Sequence, residues 1–279
     1  MPADFADPHG RPTNAVYGFA RFLCEFLEHT RSRHVAVAFD ESLSTSFRNE
    51  LYPAYKANRD PAPKDLERQF KWCKDLAKCL GLPSYVHDRY EADDLIAALA
   101  RYWRARGHAV TVVTGDKDLA QLLAGSNDSW WDFARRNRLD EAGVRQKFGV
   151  RPDQIADFLA LTGDPVDNIP GVPGVGPKTA ASLLAHFETI DGLFERLDEL
   201  AFLKIRGARA MGARLRQHEP TVRLSRQLTG LETPIAEIEN VVHEGFGAAN
   251  PDGLDVLLDR LGFGQTLRRR LHRLGREPD

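Results

Sequence analysis

Two short apolar runs, each closing on an acid, restrict the folds open to this chain more than any other feature. His34-Val35-Ala36-Val37-Ala38-Phe39-Asp40 is one. Ala109-Val110-Thr111-Val112-Val113-Thr114, followed by Gly115-Asp116, is the other. Both are β-branched and suit parallel strands buried on both faces. Helical patterns flank them. Asn14 to Thr30 carries Val16, Phe19, Phe22, Leu23, Phe26 and Leu27 at helical spacing. A second helix ends near Leu80, with Gly81 as its C′ residue and Pro83 beyond, and a third runs from about Glu91 to before Gly107. Strands alternating with helices predict βαβ units and an α/β domain with a mostly parallel sheet.

From Asp153 the pattern turns helical with Gly and Pro punctuation, which predicts a boundary near Arg151 and two regions, 1–150 and 151–279. Segment 41–64 holds Pro53, Pro61 and Pro63 and reads as an excursion from the sheet. With 279 residues and 42% hydrophobic content there is ample material for a core. The net charge of -2 does not advertise a nucleic-acid binder, although carboxylates can mask basic patches in the total. Three cysteines without a C-x-x-C spacing exclude a disulfide framework and fit a reducing, cytoplasmic setting. No apolar run approaches a membrane span, and the first residues carry no secretion signal.

The acids fall in groups. Asp40 ends the first strand; Glu91, Asp93 and Asp94 open a helix; Asp116 and Asp118 follow the second strand; Asp164 and Asp167 lie in Gly163-Asp164-Pro165-Val166-Asp167-Asn168. Ligands of open α/β sheets bind beyond the carboxyl ends of strands. Crowded carboxylates repel, and divalent cations with hard-oxygen preference, Mg²⁺ or Mn²⁺, remove that penalty. Two such ions suit phosphodiester hydrolysis. Each group also has an ordinary reading, as helix-dipole partner, N-cap or Asx turn. Their convergence at one sheet edge separates the two readings.

Residues 169–180, Ile-Pro-Gly-Val-Pro-Gly-Val-Gly-Pro-Lys-Thr-Ala, sit between two predicted helices, Gln154 to Leu161 and Pro177 to His186. Gly171, Gly174 and Gly176 let backbone approach a phosphate, with Lys178 and Thr179 at the helix start. That is a grip on the nucleic-acid backbone, against the alternative of a plain helix connection. Segment 47–72 interleaves aromatic and basic residues, with Arg48, Tyr55, Lys56 and Arg59 as candidate contacts and Phe70 and Trp72 as candidate core. Segment 204–226 holds Lys204, Arg206, Arg209, Arg214, Arg216, Arg223 and Arg226 against Glu219 alone, and reads equally as a duplex-phosphate surface or a solvated helix face.

In order, Ala38-Phe39-Asp40, Tyr55-Lys56-x-x-Arg59, Glu91-Ala92-Asp93-Asp94, Thr114-Gly115-Asp116-Lys117-Asp118, Gly163 to Asn168 and the glycine hairpin resemble the bacterial 5′–3′ exonucleases. These are relatives of the nuclease domain of DNA polymerase I and of flap endonucleases. The resemblance runs from about Pro8 to the C-terminus. It implies a PIN-like α/β domain with a mostly parallel sheet flanked by helices, followed by a helical helix-three-turn-helix DNA-binding region. It also implies cleavage of DNA with a 5′ flap or 5′ end using two Mg²⁺ or Mn²⁺ ions, with a monovalent cation at the hairpin. Asp40, Glu91, Asp93 and Asp94 would serve one metal region; Asp116, Asp118, Asp164 and Asp167 the other. Lys56 and Arg59 match a basic arch, Lys56 facing the scissile phosphate. The family begins with a strand running into an aspartate upstream of Gly10-Arg11-Pro12-Thr13, and Met1 starts too late to include it. A non-cleaving module that binds branched DNA is therefore the second reading, and a PIN-type ribonuclease the third. The sequence identifies no protein partner.

Overall fold

The computed structural model describes residues 5–32, 34–41, 45–203, 207–231, 234–242 and 245–275. In chain order the elements are α1 (Asn14–Thr30), β1 (Val37–Ala38), α2 (Phe47–Leu51), α3 (Lys64–Cys79), β2 (Ser84–Tyr85), α4 (Ala92–Arg104), β3 (Thr111–Val113), β4 (Ser129–Asp132), β5 (Asn137–Leu139), α5 (Glu141–Phe148), α6 (Ile155–Thr162), α7 (Pro177–Phe187), α8 (Ile190–Glu195), α9 (Ala208–Thr229), α10 (Ala236–Glu239), α11 (Pro251–Leu261) and α12 (Gln265–Leu274). They form two compact units. One gathers residues 1–41, 60–87 and 236–279; the other holds 42–59 and 88–235.

In the first unit β1 and β2 pair in parallel, Val37 opposite Ser84 and Ala38 opposite Tyr85. The predicted run of seven residues ladders over only two, because Pro83 has no N–H to carry the pairing further back. The α1 stripe of Val16, Ala20, Leu23, Cys24 and Leu27 is buried, and so is the α3 stripe of Trp72, Cys73, Leu76 and Ala77. The two helices pack on each other, and α12 and α11 cover them further. Trp72 is thus core, while Phe70 is 48% exposed. Leu80 caps α3 and Gly81 follows at φ +75°, the C′ position expected from the sequence.

The second unit holds a three-stranded sheet in the order β3-β4-β5. β3 and β4 run parallel and β4 and β5 antiparallel. Its core gathers Val112, Leu119, Trp130, Val144, Leu161, Leu183, Leu184 and Leu215. Every residue from Ile155 to Leu161 is buried, so α6 is the central helix, packed by α7 and α9. Its end presents the glycine hairpin. Gly163 has φ +74°, and a β-carbon at Gly171 would lie 2.4 Å from the Gly163 nitrogen and 2.4 Å from the Thr162 carbonyl carbon. Both obstacles are backbone, so neither can swing aside. Gly171→Ala is expected to cost about 1–3 kcal/mol, read as a lower urea midpoint; an unchanged midpoint would contradict this close approach.

Candidate metal centre and nucleic-acid interface

The acids of the second unit are delivered by three segments. The first is the start of α4. Glu91, just before it, is 6% exposed and Asp94 is fully buried. Tyr55 Oη donates to Glu91 Oε2 at 3.0 Å and Lys56 Nζ donates to the same oxygen at 2.9 Å. Glu91 Oε1 is buried with no partner. Asp94 accepts the Glu91 backbone N–H at 3.1 Å, so the helix-start reading of this acid also holds. Its main partner is Arg48, whose guanidinium donates to both carboxylate oxygens at 2.6 and 2.8 Å. Arg48 also donates to the Leu228 and Gly230 carbonyls, each at 2.8 Å, at the end of α9. Burial alone would lower the Arg48 pKa; the Asp94 pair outweighs it and holds the pKa above the usual range. Asp93, on the first turn of α4, is half-buried.

The second segment is the loop leaving β3. Asp116 is exposed; Asp118 is half-buried and its Oδ1 has no hydrogen-bond partner. Burial, and then the Asp116 charge, push the Asp118 carboxyl up to about 7. Lys117 Nζ donates to Asp164 Oδ2 at 2.8 Å and lies 3.9 Å from Asp118. Burial lowers the Lys117 pKa, but these carboxylates more than offset it, and the ammonium is held above its ordinary value.

The third segment is the turn after α6. Asp164 and Ile169 exchange backbone hydrogen bonds, and Asp164 Oδ1 accepts from the Val166 N–H at 2.8 Å. The turn is laced to segment 54–59. Lys56 N–H donates to the Asp167 carbonyl at 3.0 Å, Asn58 Nδ2 to the Pro165 carbonyl at 2.9 Å, and Asn168 Nδ2 to the Ala54 carbonyl at 2.6 Å. Arg59 pairs with the Asp167 carboxylate. Lys56 adopts φ +54°, a strained angle for a side-chain-bearing residue, and its ammonium lies 3.9 Å from Asp167. Five of the predicted acids, Glu91, Asp116, Asp118, Asp164 and Asp167, are thus joined by shared lysine contacts or by charges close enough to perturb Asp118. Asp40 is exposed at the carboxyl end of β1, in the other unit.

A divalent cation with oxygen ligands fits the chemistry of this donor set. Two buried carboxylate oxygens lack partners, and one carboxyl is forced toward its protonated form by burial and like charge. Among the described residues, no three carboxylate, imidazole or thiol side chains close around a single point as a finished metal sphere.

The hairpin exposes Gly174, Gly176 and Lys178, while Val172 and Val175 anchor it in the core. Gly171 and Thr179 are half-buried, and Pro177 opens α7. Two expectations change. Arg48 and Tyr55, read as DNA contacts, are 2% and 4% exposed. Their polar groups are turned onto Asp94 and Glu91, which leaves neither free for a phosphate or a base. On α9, Arg214 donates to the Pro173 carbonyl, and Arg216, Arg223 and Arg226 pair with Asp198, Asp191 and Asp157. These pairs favour the solvated-face reading of segment 204–226. Lys204, Arg206 and the Arg209 side chain lie outside the described residues. Lys117, Asn58 and Asn168 were not foreseen; only Lys117 carried a signal, its place between two acids.

Comparison with known proteins agrees with this architecture. The 5′-3′ exonuclease N-terminal resolvase-like domain matches residues 1–149, and the 5′-3′ exonuclease C-terminal SAM fold matches residues 150–246. DNA polymerase I of Pseudomonas aeruginosa is 40% identical over 269 residues, 96% of this chain and 27% of that protein. DNA polymerase I of Bacillus caldotenax is 35% identical over 266 residues, 92% of this chain and 29% of that protein. The chain thus spans less than a third of the length of these relatives. Among solved structures, T5 5′-exonuclease with bound zinc superposes with a TM-score of 0.64 at 20% identity, covering 94% of this chain and 91% of that one. The catalytic core of Rad2 in complex with DNA substrate gives 0.61 at 16% identity, covering 97% and 87%. These likenesses establish the fold as PIN-like, or resolvase-like, α/β followed by a helical SAM-type region. The chain belongs to the 5′-3′ exonuclease family.

Proposed function

We propose that this chain is a divalent-metal-dependent nuclease that hydrolyses DNA phosphodiester bonds at 5′ ends and 5′ flaps, in replication or repair. The observation that carries the reading is the meeting of Glu91, Asp116, Asp118, Asp164 and Asp167 within one unit, with two buried oxygens unpartnered, in the same unit as an exposed glycine hairpin. Mg²⁺ or Mn²⁺ suits these oxygen donors, and when bound supplies positive charge to the scissile phosphate and activates water. Asp116, Asp118, Asp164 and Asp167 form one ligand group, and Glu91 with Asp93 the core of another. Asp40 carries a family motif match and lies in the other unit. Asp94 supports its neighbours through Arg48 rather than reaching an ion.

The remaining roles belong to the chain's own cations and backbone. Lys56 and Arg59 place positive charge directly beside Glu91 and Asp167, where a phosphate drawn to the acids would be met and oriented. Gly174 and Gly176 with the start of α7 offer backbone N–H groups to a strand, and Lys178 and Thr179 add charge and a hydroxyl. Arg214 donates to the Pro173 carbonyl of the turn at 2.9 Å, and a monovalent cation at the hairpin rests on the family resemblance alone. A T5 D15 flap endonuclease described as a pseudo-enzyme-product complex with DNA and metal ions, to which the chain is similar in fold, supports the reading. The described residues contain no helix long and apolar enough to cross a membrane.

The test is cleavage of a labelled 5′-flap DNA in Mg²⁺. The double change Asp116→Ala with Asp118→Ala is expected to reduce turnover to background while DNA binding persists. Cleavage that survives both changes ends the proposal. Binding by the unaltered protein without turnover in either metal would favour the junction-binding module, and preference for an RNA flap the ribonuclease.

A further inference from the structure

Trp130 on β4 is sealed in the interior, at 2% exposure. An indole carries one donor, and when buried it needs a partner. Its partner here is no core group: Nε1 donates at 2.7 Å to the backbone carbonyl of Asp116, an exposed residue. The other end of Asp116 is held as well. Its N–H donates to Thr114 Oγ1 at 3.0 Å, and its Oδ1 accepts the Asp118 N–H at 2.9 Å. Thr114 is itself tied back to β4 by its N–H on the Trp131 carbonyl, at 3.0 Å. The parallel register sets Val112 opposite Trp130, so the indole serves the loop that leaves the neighbouring strand.

Asp116 and Asp118 are two acids two residues apart, held close by the Asp118 N–H on Asp116 Oδ1. Left to themselves, the two carboxylates would move apart into water. The backbone must therefore hold them together, and the contact to Trp130 is one of its links to the core, beside the Thr114 N–H on the Trp131 carbonyl.

We propose that Trp130 is a positioning residue for the Asp116 and Asp118 pair, its indole N–H pinning the loop so that both carboxylates are presented together to a divalent cation. The inference rests on the metal reading above. Were the indole merely satisfying its own donor, removing that donor would alter stability and leave ion affinity untouched.

Trp130→Phe keeps an aromatic ring and deletes the N–H. Calorimetric Mg²⁺ titration, at a temperature where circular dichroism shows both proteins folded, is expected to give about tenfold weaker binding for the variant, the scale of lost outer-shell support. A second measurement keeps the Trp130 indole in place, at a temperature where circular dichroism shows that the protein tested is folded. Of the four tryptophans, Trp72, Trp103 and Trp131 are changed to Phe, leaving Trp130 alone. Its emission is then expected to change on Mg²⁺ addition with the calorimetric midpoint. Wild-type affinity in Trp130→Phe, or flat emission while Mg²⁺ binds normally, overturns the proposal. Failure of the unmodified protein to bind Mg²⁺ or Mn²⁺ overturns the metal reading itself, and this inference with it.

Discussion

Replacing Arg48 with alanine is expected to destabilise the protein by about 3–5 kcal/mol, the cost of leaving one partner of a buried ion pair behind. The Arg48 side chain is 2% exposed and that of Asp94 is 0% exposed. Without the guanidinium, the buried Asp94 carboxylate loses both hydrogen bonds that Arg48 donates to it. The Leu228 and Gly230 carbonyls lose their donor in the same step. A double change separates repulsion of an orphan charge from loss of packing. Arg48→Met with Asp94→Leu replaces both charges with apolar groups, so it is expected to be less damaging than Arg48→Ala. Urea unfolding reads the parent and both variants; a double variant at least as unstable as the single one would mean that the hydrogen bonds to α9, rather than the ion pair, dominate.

The second large effect concerns pH. In the folded, metal-free protein Asp118 titrates at about 7, against an ordinary 3.8. The folded state therefore holds a proton that the unfolded chain has released across that window. Stability contributed by this group is complete below pH 4 and is lost as pH rises through 7, by up to about 4 kcal/mol for a shift of roughly three pH units. Asp118→Asn removes the titration. In chelator, the variant is expected to be more stable than the parent at pH 8, by a few kcal/mol at most, and to approach it at pH 4. Mg²⁺ should stabilise the parent at pH 8 more than the variant, since a ligand must be ionised to bind. Parallel pH–stability curves for the two proteins would show that Asp118 carries no such penalty.

Legibility from sequence tracked the range of the interaction. The span of α1 was readable because its apolar stripe repeats within one helix, and Gly81 because a C′ position is a local backbone demand. The strands were located but overextended, since how far a run ladders depends on its neighbour. The β4-β5 hairpin escaped notice because Ser129-Trp130-Trp131-Asp132 shows no clean apolar alternation, and three of its four residues are nonetheless buried. The acids were readable as a set of motifs. Their cationic partners were not: Arg48 meets Asp94 across 46 residues and the Leu228 carbonyl across 180.

By itself, then, the sequence determined the α/β class, the helical second half, the identity of the acids and the glycine hairpin, because periodicity, turn chemistry and residue type act over a few positions. Tertiary structure decided which acids face a shared space and which are consumed. Asp94 becomes an internal counter-ion for Arg48, Asp118 is left with an unpartnered oxygen, and Trp130 is aimed at Asp116. Those outcomes depend on burial and on charges brought together from distant segments. A carboxylate's proton affinity and its freedom to take an ion follow from what surrounds it after folding, which no spacing along the chain encodes.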